Sequence, residues 1–218
     1  MISAVLFDLD GLLADTETLH CQAWQATLHE HGIALSVEFY YDWWVRQGRG
    51  ITDFLLSREL TLSPVTLRAE KAVHYARLVA TDCRPMPGAL ELLHRLSGRK
   101  ELAVASSAWV DAVQAVLGKL NIAGRFRTIV TGSDVERAKP FPDVFLLAAE
   151  RLGVAPGRCV VLEDAEKGVV AAKAAGMKCI AVPSRYTADN DFSKADLVVT
   201  SLSEITLDRI DALQGNSR

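Results

Sequence analysis

Short apolar runs that alternate with helical segments constrain the fold of this chain more than any other feature of its sequence. Five runs are typical of strands buried on both faces, and from the second run onward the intervening segments have helical periodicity. This alternation predicts an α/β fold built on a Rossmann-like, doubly wound parallel sheet. The runs cover residues 2–7, 102–105, 128–130, 159–162 and 179–182, with a weaker sixth at 197–199.

The helical segments of this part have clear end signals. Gly153 and Gly176 follow two of them, at the position where a left-handed residue often ends a helix. Pro87 and Gly98 bracket another. The predicted helices cover residues 89–96, 110–120, 144–152 and 165–175.

Residues 16–82 do not follow this alternation of strands and helices, because they contain no convincing strand and their apolar residues recur at helical spacing. We therefore predict a helical domain at 16–82, inserted into an α/β core made of residues 1–15 and 83–218. An insert after the first strand lies beside the carboxyl ends of the strands, where open α/β sheets bind ligands, so this domain is a candidate cap. The tail, residues 214–218, is predicted to be disordered.

Apolar and aromatic residues of the predicted cap form two groups. Aromatic faces stack well on sugars or nucleosides, but such residues more often form the core of a small helical domain. The aromatic group is Tyr40, Tyr41, Trp43 and Trp44. The first helix is predicted to place Leu19, Ala23, Thr27 and His31 on one face, with Trp24 and Leu28 beside them.

Composition excludes several classes of protein. The 218 residues carry 24 basic and 27 acidic side chains, and this slight acidic surplus argues against a nucleic-acid-binding protein. No apolar run approaches 18 residues, and the first residues lack a basic segment, so neither a membrane span nor a signal peptide is predicted. The four cysteines have no metal-binding spacing and fit a reducing compartment, which predicts a cytoplasmic protein.

Two carboxylates end the first apolar run. Asp8 and Asp10 stand two residues apart, with Cα atoms about 7 Å apart in an extended strand, so both can face one pocket. Gly11 then allows a sharp turn. Clustered carboxylates favour a hard divalent cation such as Mg²⁺ over zinc. Taken alone, the pair is equally consistent with solvated acids of a loop.

Hydroxyl and basic groups follow the next two runs. Ser106 and Ser107 precede a helix, where a hydroxyl and backbone amides suit phosphate oxygens, although a serine there is often an ordinary helix cap. Lys139, held before Pro140, can neutralise an anion, although a lone loop lysine is usually solvated.

A second acidic pair, Glu163 and Asp164, ends the fourth run. Helix capping by Asp164 would explain one of these acids but not Glu163. Because the carboxyl ends of parallel strands share one edge of a sheet, all four polar segments are predicted to converge there. Together they offer a nucleophile, an acid/base, a metal site and a phosphate cradle.

At this point the sequence resembles the haloacid dehalogenase-like superfamily. The predicted cap resembles the type I cap of that superfamily, and the likeness extends over essentially the whole chain. The matching motifs are, in order, Asp8-Leu9-Asp10-Gly11, Ser106, Lys139-Pro140, and Glu163-Asp164-Ala165 with Gly168.

The resemblance implies an Mg²⁺-dependent phosphatase acting on a small phosphorylated metabolite. Asp8 would attack phosphorus and form an aspartyl-phosphate. Asp10 would protonate the leaving oxygen and then deprotonate the attacking water. The resemblance also implies that Mg²⁺ binds the Asp8 carboxylate, the backbone carbonyl of Asp10, Asp164, and Glu163 directly or through water.

Phosphate recognition is assigned by the same resemblance. Ser106, the amide of Ser107 and Lys139 would hold the phosphoryl oxygens. The segment from Asp15 to His20 resembles the branch of β-phosphoglucomutases and small sugar phosphatases, which adds Thr16 and His20 as candidate substrate contacts.

A phosphosugar mutase is the main alternative. The mutase holds a second phosphate with an arginine three residues after a cap glycine, but Ile51 has that spacing from Gly48, and Arg49 is the nearby candidate instead. A further basic cap residue is expected where Tyr75 falls, and Trp109 replaces a lysine of the mutase. These differences favour a phosphatase.

Two other readings are less well supported. A non-catalytic binding protein with this fold is expected to have lost key residues of at least one motif, and all four motifs are intact. A dinucleotide-dependent oxidoreductase would need a glycine fingerprint after the first strand, which the segment after Asp8 lacks. The expected partner is a small phosphorylated metabolite rather than nucleic acid or membrane, and the expected state is a monomer or weak homodimer.

Overall fold

The computed structural model describes residues 1–216 and forms two compact units. One unit contains residues 1–15 and the chain from Arg84 onward, and the other contains Thr16–Cys83. Each unit has its own buried apolar cluster.

The first unit is built on a six-stranded parallel sheet with the order β3-β2-β1-β4-β5-β6. The predicted doubly wound α/β fold is therefore confirmed. The chain runs outward from β1 to β3 and then returns to β4, so β1 and β4 flank the switch point where such sheets bind ligands. The strands are β1 (Ala4–Phe7), β2 (Glu101–Ala105), β3 (Thr128–Val130), β4 (Cys159–Glu163), β5 (Lys178–Ala181) and β6 (Leu197–Val198).

The second unit is entirely helical in the part of the chain that the structure describes. Its core is aromatic, with Trp24, Tyr40, Trp43 and Phe54 all buried, as expected for a small helical domain. His31 was predicted on the buried face of the first helix, but it lies just after that helix and is exposed. The helices are α1 (Glu17–Glu30), α2 (Val37–Tyr40), a π-helix (Tyr41–Arg46), α3 (Ile51–Ser57) and α4 (Pro64–Asp82).

Helices cover the sheet of the first unit close to their predicted positions. Gly153 and Gly176 follow two of them with φ of 69° and 72°, as their left-handed role requires. The predicted disordered tail is partly wrong, since Leu213–Asn216 forms a 3₁₀ turn; residues 217 and 218 lie outside the described part. These helices are α5 (Ala89–Leu96), α6 (Val110–Lys119), α7 (Asp143–Leu152), α8 (Glu166–Ala174) and α9 (Leu207–Ala212).

The four cysteines are free and buried. Burial raises the pKa of Cys21 and of Cys159 to about 11, so both thiols stay protonated near neutral pH and behave as small apolar side chains. Within residues 1–216, every helix is too short or too polar to cross a lipid bilayer.

Candidate active site

The site lies at the carboxyl ends of β1, β2 and β4. Phe7 pairs with Val104 on one side and Leu162 on the other, so the residues that follow these strands meet at one edge. Asp8 directly follows β1, and its backbone N–H donates to Leu162 O over 3.0 Å. Glu163 ends β4, and Ser106 follows β2. The predicted convergence of these three segments is therefore a property of the sheet register.

Lys139 bridges two of the carboxylates. Its Nζ donates to Asp8 Oδ1 and to Glu163 Oε1, each over 2.5 Å. The lysine side chain is only 2% exposed, and its ammonium lies 4.7 Å from the centroid of the Phe145 ring. The alternative of a solvated loop lysine is therefore wrong, because a buried ammonium persists only where anions compensate its lost hydration.

Electrostatics of this cluster is dominated by burial and crowding of like charge. Burial raises the pKa of Asp8 to about 7; Lys139 offsets part of this effect, while Glu163 and Asp10 add to it. Burial alone would lower the pKa of Lys139, but Asp8 and Glu163 together raise it above its ordinary value. The lysine thus stays charged, while Asp8 ionises only near neutral pH unless another cation lowers its pKa.

The acids also meet the requirements of a metal site. Asp8, Glu163 and Asp164 are buried, and each offers an oxygen within 4.8 Å of the others. One lysine cannot neutralise three carboxylates, so a divalent cation would complete the charge balance. An all-oxygen donor set suits Mg²⁺. The residues present therefore fit the metal that the family resemblance implies.

Two glycines leave room for these acids. A Cβ at Gly11 would overlap Asp164 Oδ2, and Gly11 has a φ of +79°, which disfavours other residues. A Cβ at Gly168, on α8, would overlap the Glu163 carboxylate. Glu163 Oε2 also accepts a hydrogen bond from the Ala165 N–H over 3.3 Å, so both of its oxygens are engaged.

A methyl group at Gly168 is expected to displace Glu163. We expect Gly168→Ala to lower the phosphatase activity that the resemblance implies by at least about tenfold, since Glu163 would no longer hold Lys139 in place, and to destabilise the fold by about 1–3 kcal/mol. Gly118→Ala is the matched control, because Gly118 also lies in a helix and has open space where a Cβ would stand. Steady-state kinetics and chemical unfolding of both variants measure the effects, and equal behaviour of the two would contradict this role of Gly168.

The loop after β2 that carries Ser106 and Ser107, here called the serine loop, does not cap the helix that follows it. The N-cap of α6 is Trp109, and its side chain makes no capping hydrogen bond, so the capping alternative for Ser106 is wrong. Ser106 Oγ instead accepts from the Ala108 N–H over 3.0 Å. Ser107 Oγ is buried and has no hydrogen-bond partner within residues 1–216, which leaves an unsatisfied polar atom beside the loop. Similarly, Ala165 rather than Asp164 is the N-cap of α8.

Gly132 was not singled out from the sequence. A Cβ there would overlap the Ser107 carbonyl oxygen, and the Gly132 N–H donates to Ala108 O over 2.8 Å. The glycine thus allows the loop after β3 to support the serine loop. In the sequence, the only indication of this role was a single glycine shortly after the predicted strand at residues 128–130.

His20 belongs to the helical unit, where it has a basic neighbour that sequence reasoning missed. Lys71 Nζ lies 2.6 Å from His20 Nδ1, and the His20 ring stacks on Tyr75 with centroids 4.2 Å apart. Lys71 Nζ also lies 4.1 Å from the Tyr75 ring centroid. The comparison with the mutase expected a basic residue at the position of Tyr75. Lys71 instead lies one helical turn before Tyr75, on the same face of α4.

Thr16 and Arg49 also lie in the helical unit. Thr16 is fully buried at the N-cap of α1, and its carbonyl accepts from the His20 N–H over 2.9 Å. Arg49 is exposed, with its guanidinium 4.7 Å from the centroid of the Trp43 ring. The substrate roles of Thr16, His20 and Arg49 stay predictions.

Asp10 follows Asp8 on the same loop and is half-buried. It pairs with Ala14 in an isolated bridge, and its charge contributes to the raised pKa of Asp8. The two first-motif acids thus lie close enough to interact electrostatically.

Comparison with known proteins decides the family. The model of haloacid dehalogenase-like hydrolases matches residues 5–182, a span that includes every acid of the site. The chain belongs to the haloacid dehalogenase-like hydrolases. The resemblance seen in the four motifs is thereby confirmed.

Two proteins of known name or structure are similar over most of the chain. The fructose-1-phosphate phosphatase YqaB of Escherichia coli is 31% identical over 186 residues, which cover 83% of this chain and 96% of that protein. A CbbY variant from Rhodobacter sphaeroides, solved with xylulose-(1,5)bisphosphate, has a TM-score of 0.86 and 32% identity, covering 94% of this chain and 96% of that one.

A mutase is also among the similar haloacid dehalogenase-like structures. β-Phosphoglucomutase from Clostridium difficile has a TM-score of 0.81 and 28% identity, covering 99% of this chain and 98% of that one. The family match and the named phosphatases among the relatives confirm the predicted class of enzyme, a phosphatase.

Proposed function

We propose that this chain is an Mg²⁺-dependent phosphatase that hydrolyses a small sugar phosphate through an aspartyl-phosphate on Asp8. The observation that carries the proposal is the buried Lys139, which links the nucleophile candidate Asp8 to Glu163 beside Asp164. The sugar-phosphate specificity is supported by the printed substrate of YqaB and by the sugar bisphosphate bound to CbbY.

In the first half-reaction an Asp8 oxygen attacks phosphorus, and the bond from phosphorus to the leaving oxygen breaks. Asp10 donates its proton to that oxygen, so the dephosphorylated product leaves as a neutral alcohol. In the second half-reaction Asp10 takes a proton from water, which attacks phosphorus and releases inorganic phosphate from Asp8. Asp10 is then protonated again for the next cycle.

Asp8, Asp164 and the Asp10 carbonyl would hold Mg²⁺. When bound, the ion neutralises charge on the phosphoryl oxygens and on the surrounding carboxylates. Glu163 accepts a hydrogen bond from Lys139, so we assign this acid to holding Lys139, and it would contact the metal directly or through water. Lys139, together with Ser106 and the amide of Ser107, would bind the phosphoryl oxygens.

The helical unit would act as the cap. Thr16, His20 and Arg49 are the proposed substrate contacts, and Lys71 joins them because it hydrogen-bonds His20. The cytoplasmic location and the monomeric or weakly dimeric state stay predictions from the sequence.

Metal removal gives the first test. We expect EDTA to abolish phosphate release and Mg²⁺ to restore it, because a dication would balance the surplus negative charge of the three buried acids. Mg²⁺ is also expected to raise the unfolding temperature, since it would bind only the assembled cluster. Calorimetric titration should show Mg²⁺ binding weakened by more than about tenfold in Asp164→Asn.

The control for this test is Asp111→Asn, which removes an exposed acid of α6. Its Mg²⁺ affinity is expected to equal that of the wild type. Full activity after thorough chelation, or equal Mg²⁺ affinity of both variants, would refute the metal assignment.

Mutase activity is the second candidate, because the structural match to β-phosphoglucomutase extends over nearly the whole chain and Lys71 supplies a basic residue in the helical unit. A screen of phosphorylated sugars and polyols that records both free phosphate and isomerised product separates the two. Isomerisation of β-glucose 1-phosphate that depends on a bisphosphate activator would replace the phosphatase proposal.

A further inference from the structure

A basic groove lies at the amino-terminal ends of the strands. The site formed by Asp8, Glu163 and Asp164, here called the acidic site, lies at their carboxyl ends. The groove has a volume of about 600 Å³ and is formed by residues 1–3, 97–102 and 124–127, at the amino-terminal ends of β1, β2 and β3. The groove and the acidic site therefore lie at opposite edges of the sheet. No proposed catalytic or metal-binding residue lines this groove.

Charge in the groove opposes the net charge of the protein. Arg99, Lys100, Arg125 and Arg127 line it, and Glu101 is its one acidic lining residue, although the whole chain carries a net charge of −3. A local basic surplus on an acidic protein raises the concentration of anions at that place.

Two of these cations are already compensated. Lys100 Nζ donates to Asp211 Oδ1 over 2.6 Å and to the Ile2 carbonyl over 2.7 Å, and its side chain is only 5% exposed. Arg127 lies 3.1 Å from Glu101 at the surface. Lys100 thus forms part of the groove wall, and its ammonium is not available to a ligand.

Arg99 and Arg125 are different. Both are exposed, and their guanidinium groups make no ion pair or hydrogen bond with any other side chain that the structure describes. A guanidinium presents a planar fork of donors that matches phosphate and carboxylate oxygens. Two such forks beside one groove favour a ligand with more than one negative charge.

The remaining lining restricts the size and kind of ligand. Gly98 and Gly124 have open space where a Cβ would stand, and the largely buried Phe126 and Leu102 form the floor of the groove. A volume of this size falls within the range of small-molecule pockets, about 300–1,000 Å³. We propose that this groove is a second binding site, separate from the acidic site, for a compact small molecule that carries several negative charges.

The test uses amide NMR spectra of the whole protein titrated with inorganic pyrophosphate and, separately, with citrate. We expect the Gly98, Arg99, Gly124 and Arg125 amides to shift on a binding curve distinct from that of Gly11 and Ser107, which report on the acidic site. Shifts with both probes would indicate recognition of charge alone, and shifts with pyrophosphate only would indicate a phosphate-specific site. Either pattern supports the proposal, whereas unmoved groove amides overturn it.

Gly124 offers a matched pair of variants, because both new side chains enter the same open space. Gly124→Glu is expected to weaken probe binding relative to Gly124→Gln by about tenfold, because the new carboxylate repels an anionic probe at close range. Arg99→Gln should weaken it similarly, while all three variants keep wild-type phosphatase activity. Equal binding by the Glu and Gln variants would sink the proposal, as would tighter binding of a single-stranded oligonucleotide than of either small probe.

Discussion

Replacement of Asp8 by asparagine is expected to lower the rate of phosphate release by at least about 10³-fold, within the range seen when a nucleophile is removed from an enzyme. Asparagine has the same shape but lacks the anionic oxygen that would attack phosphorus. The fold should persist, because Lys139 keeps its hydrogen bond to Glu163. Steady-state kinetics with the best substrate from the screen, and circular dichroism of the variant, measure these two outcomes.

The stability of this variant has an expected sign. Since the pKa of Asp8 is raised from 3.8 to about 7, chiefly by burial, the native state binds more protons than the unfolded chain between these values. This group therefore makes the metal-free protein less stable as pH rises from about 4 to about 7. Asp8→Asn should remove that slope and equal or exceed the wild type in free energy of unfolding at pH 8.

Asp111→Asn serves again as the control, with activity unchanged. Phosphate release by Asp8→Asn at the wild-type rate would remove Asp8 from its proposed role. A steep fall in its free energy of unfolding at pH 8 would show that the ionised carboxylate stabilises the fold, contrary to the direction of its pKa.

Loss of Lys139 is expected to have the largest effect on stability. Lys139→Met would leave Asp8 and Glu163 buried without their cation, and removal of one partner of a buried pair costs about 3–5 kcal/mol. The loss should be greatest at high pH, because protonation of Asp8 relieves it as pH falls. Urea unfolding of metal-free protein at several pH values measures this, and phosphate release should be abolished at every pH.

A double variant separates stability from activity. Lys139→Met with Glu163→Gln removes the stranded charge of Glu163 as well, so the double variant should regain part of the lost stability. Activity should stay absent, since no ammonium remains to bind phosphoryl oxygens. If the two substitutions were additive in free energy of unfolding, the contact between Lys139 and Glu163 would not be the energetic link that the structure indicates.

Most of the sheet was predictable from the sequence. The strand β3 has its predicted bounds, and the others differ by only one or two residues at their ends. A buried parallel strand needs apolar residues on both faces, so its signal is local and survives without tertiary information. His31 was misplaced because helical spacing continues past the point where the chain leaves α1.

The chemical types of the site residues were also predictable, but their pairings were not. Lys139 was assigned to phosphate and Glu163 to the metal, and no local pattern indicated that a hydrogen bond also joins these two residues. In the helical unit, Lys71 and His20 are 51 residues apart, and only the packing of α1 against α4 brings them together.

The sequence by itself determined the sheet and the acids, serines and lysine at the ends of its strands, because each depends on a few neighbouring residues. Only the tertiary structure decided which of these groups form ion pairs with one another. Asp8 and Lys139 stand 131 residues apart, and the balance between burial and attraction that sets the pKa of Asp8 exists only after the strands pair. Hydration keeps the same groups independent in the unfolded chain, whereas exclusion of water in the folded sheet couples them.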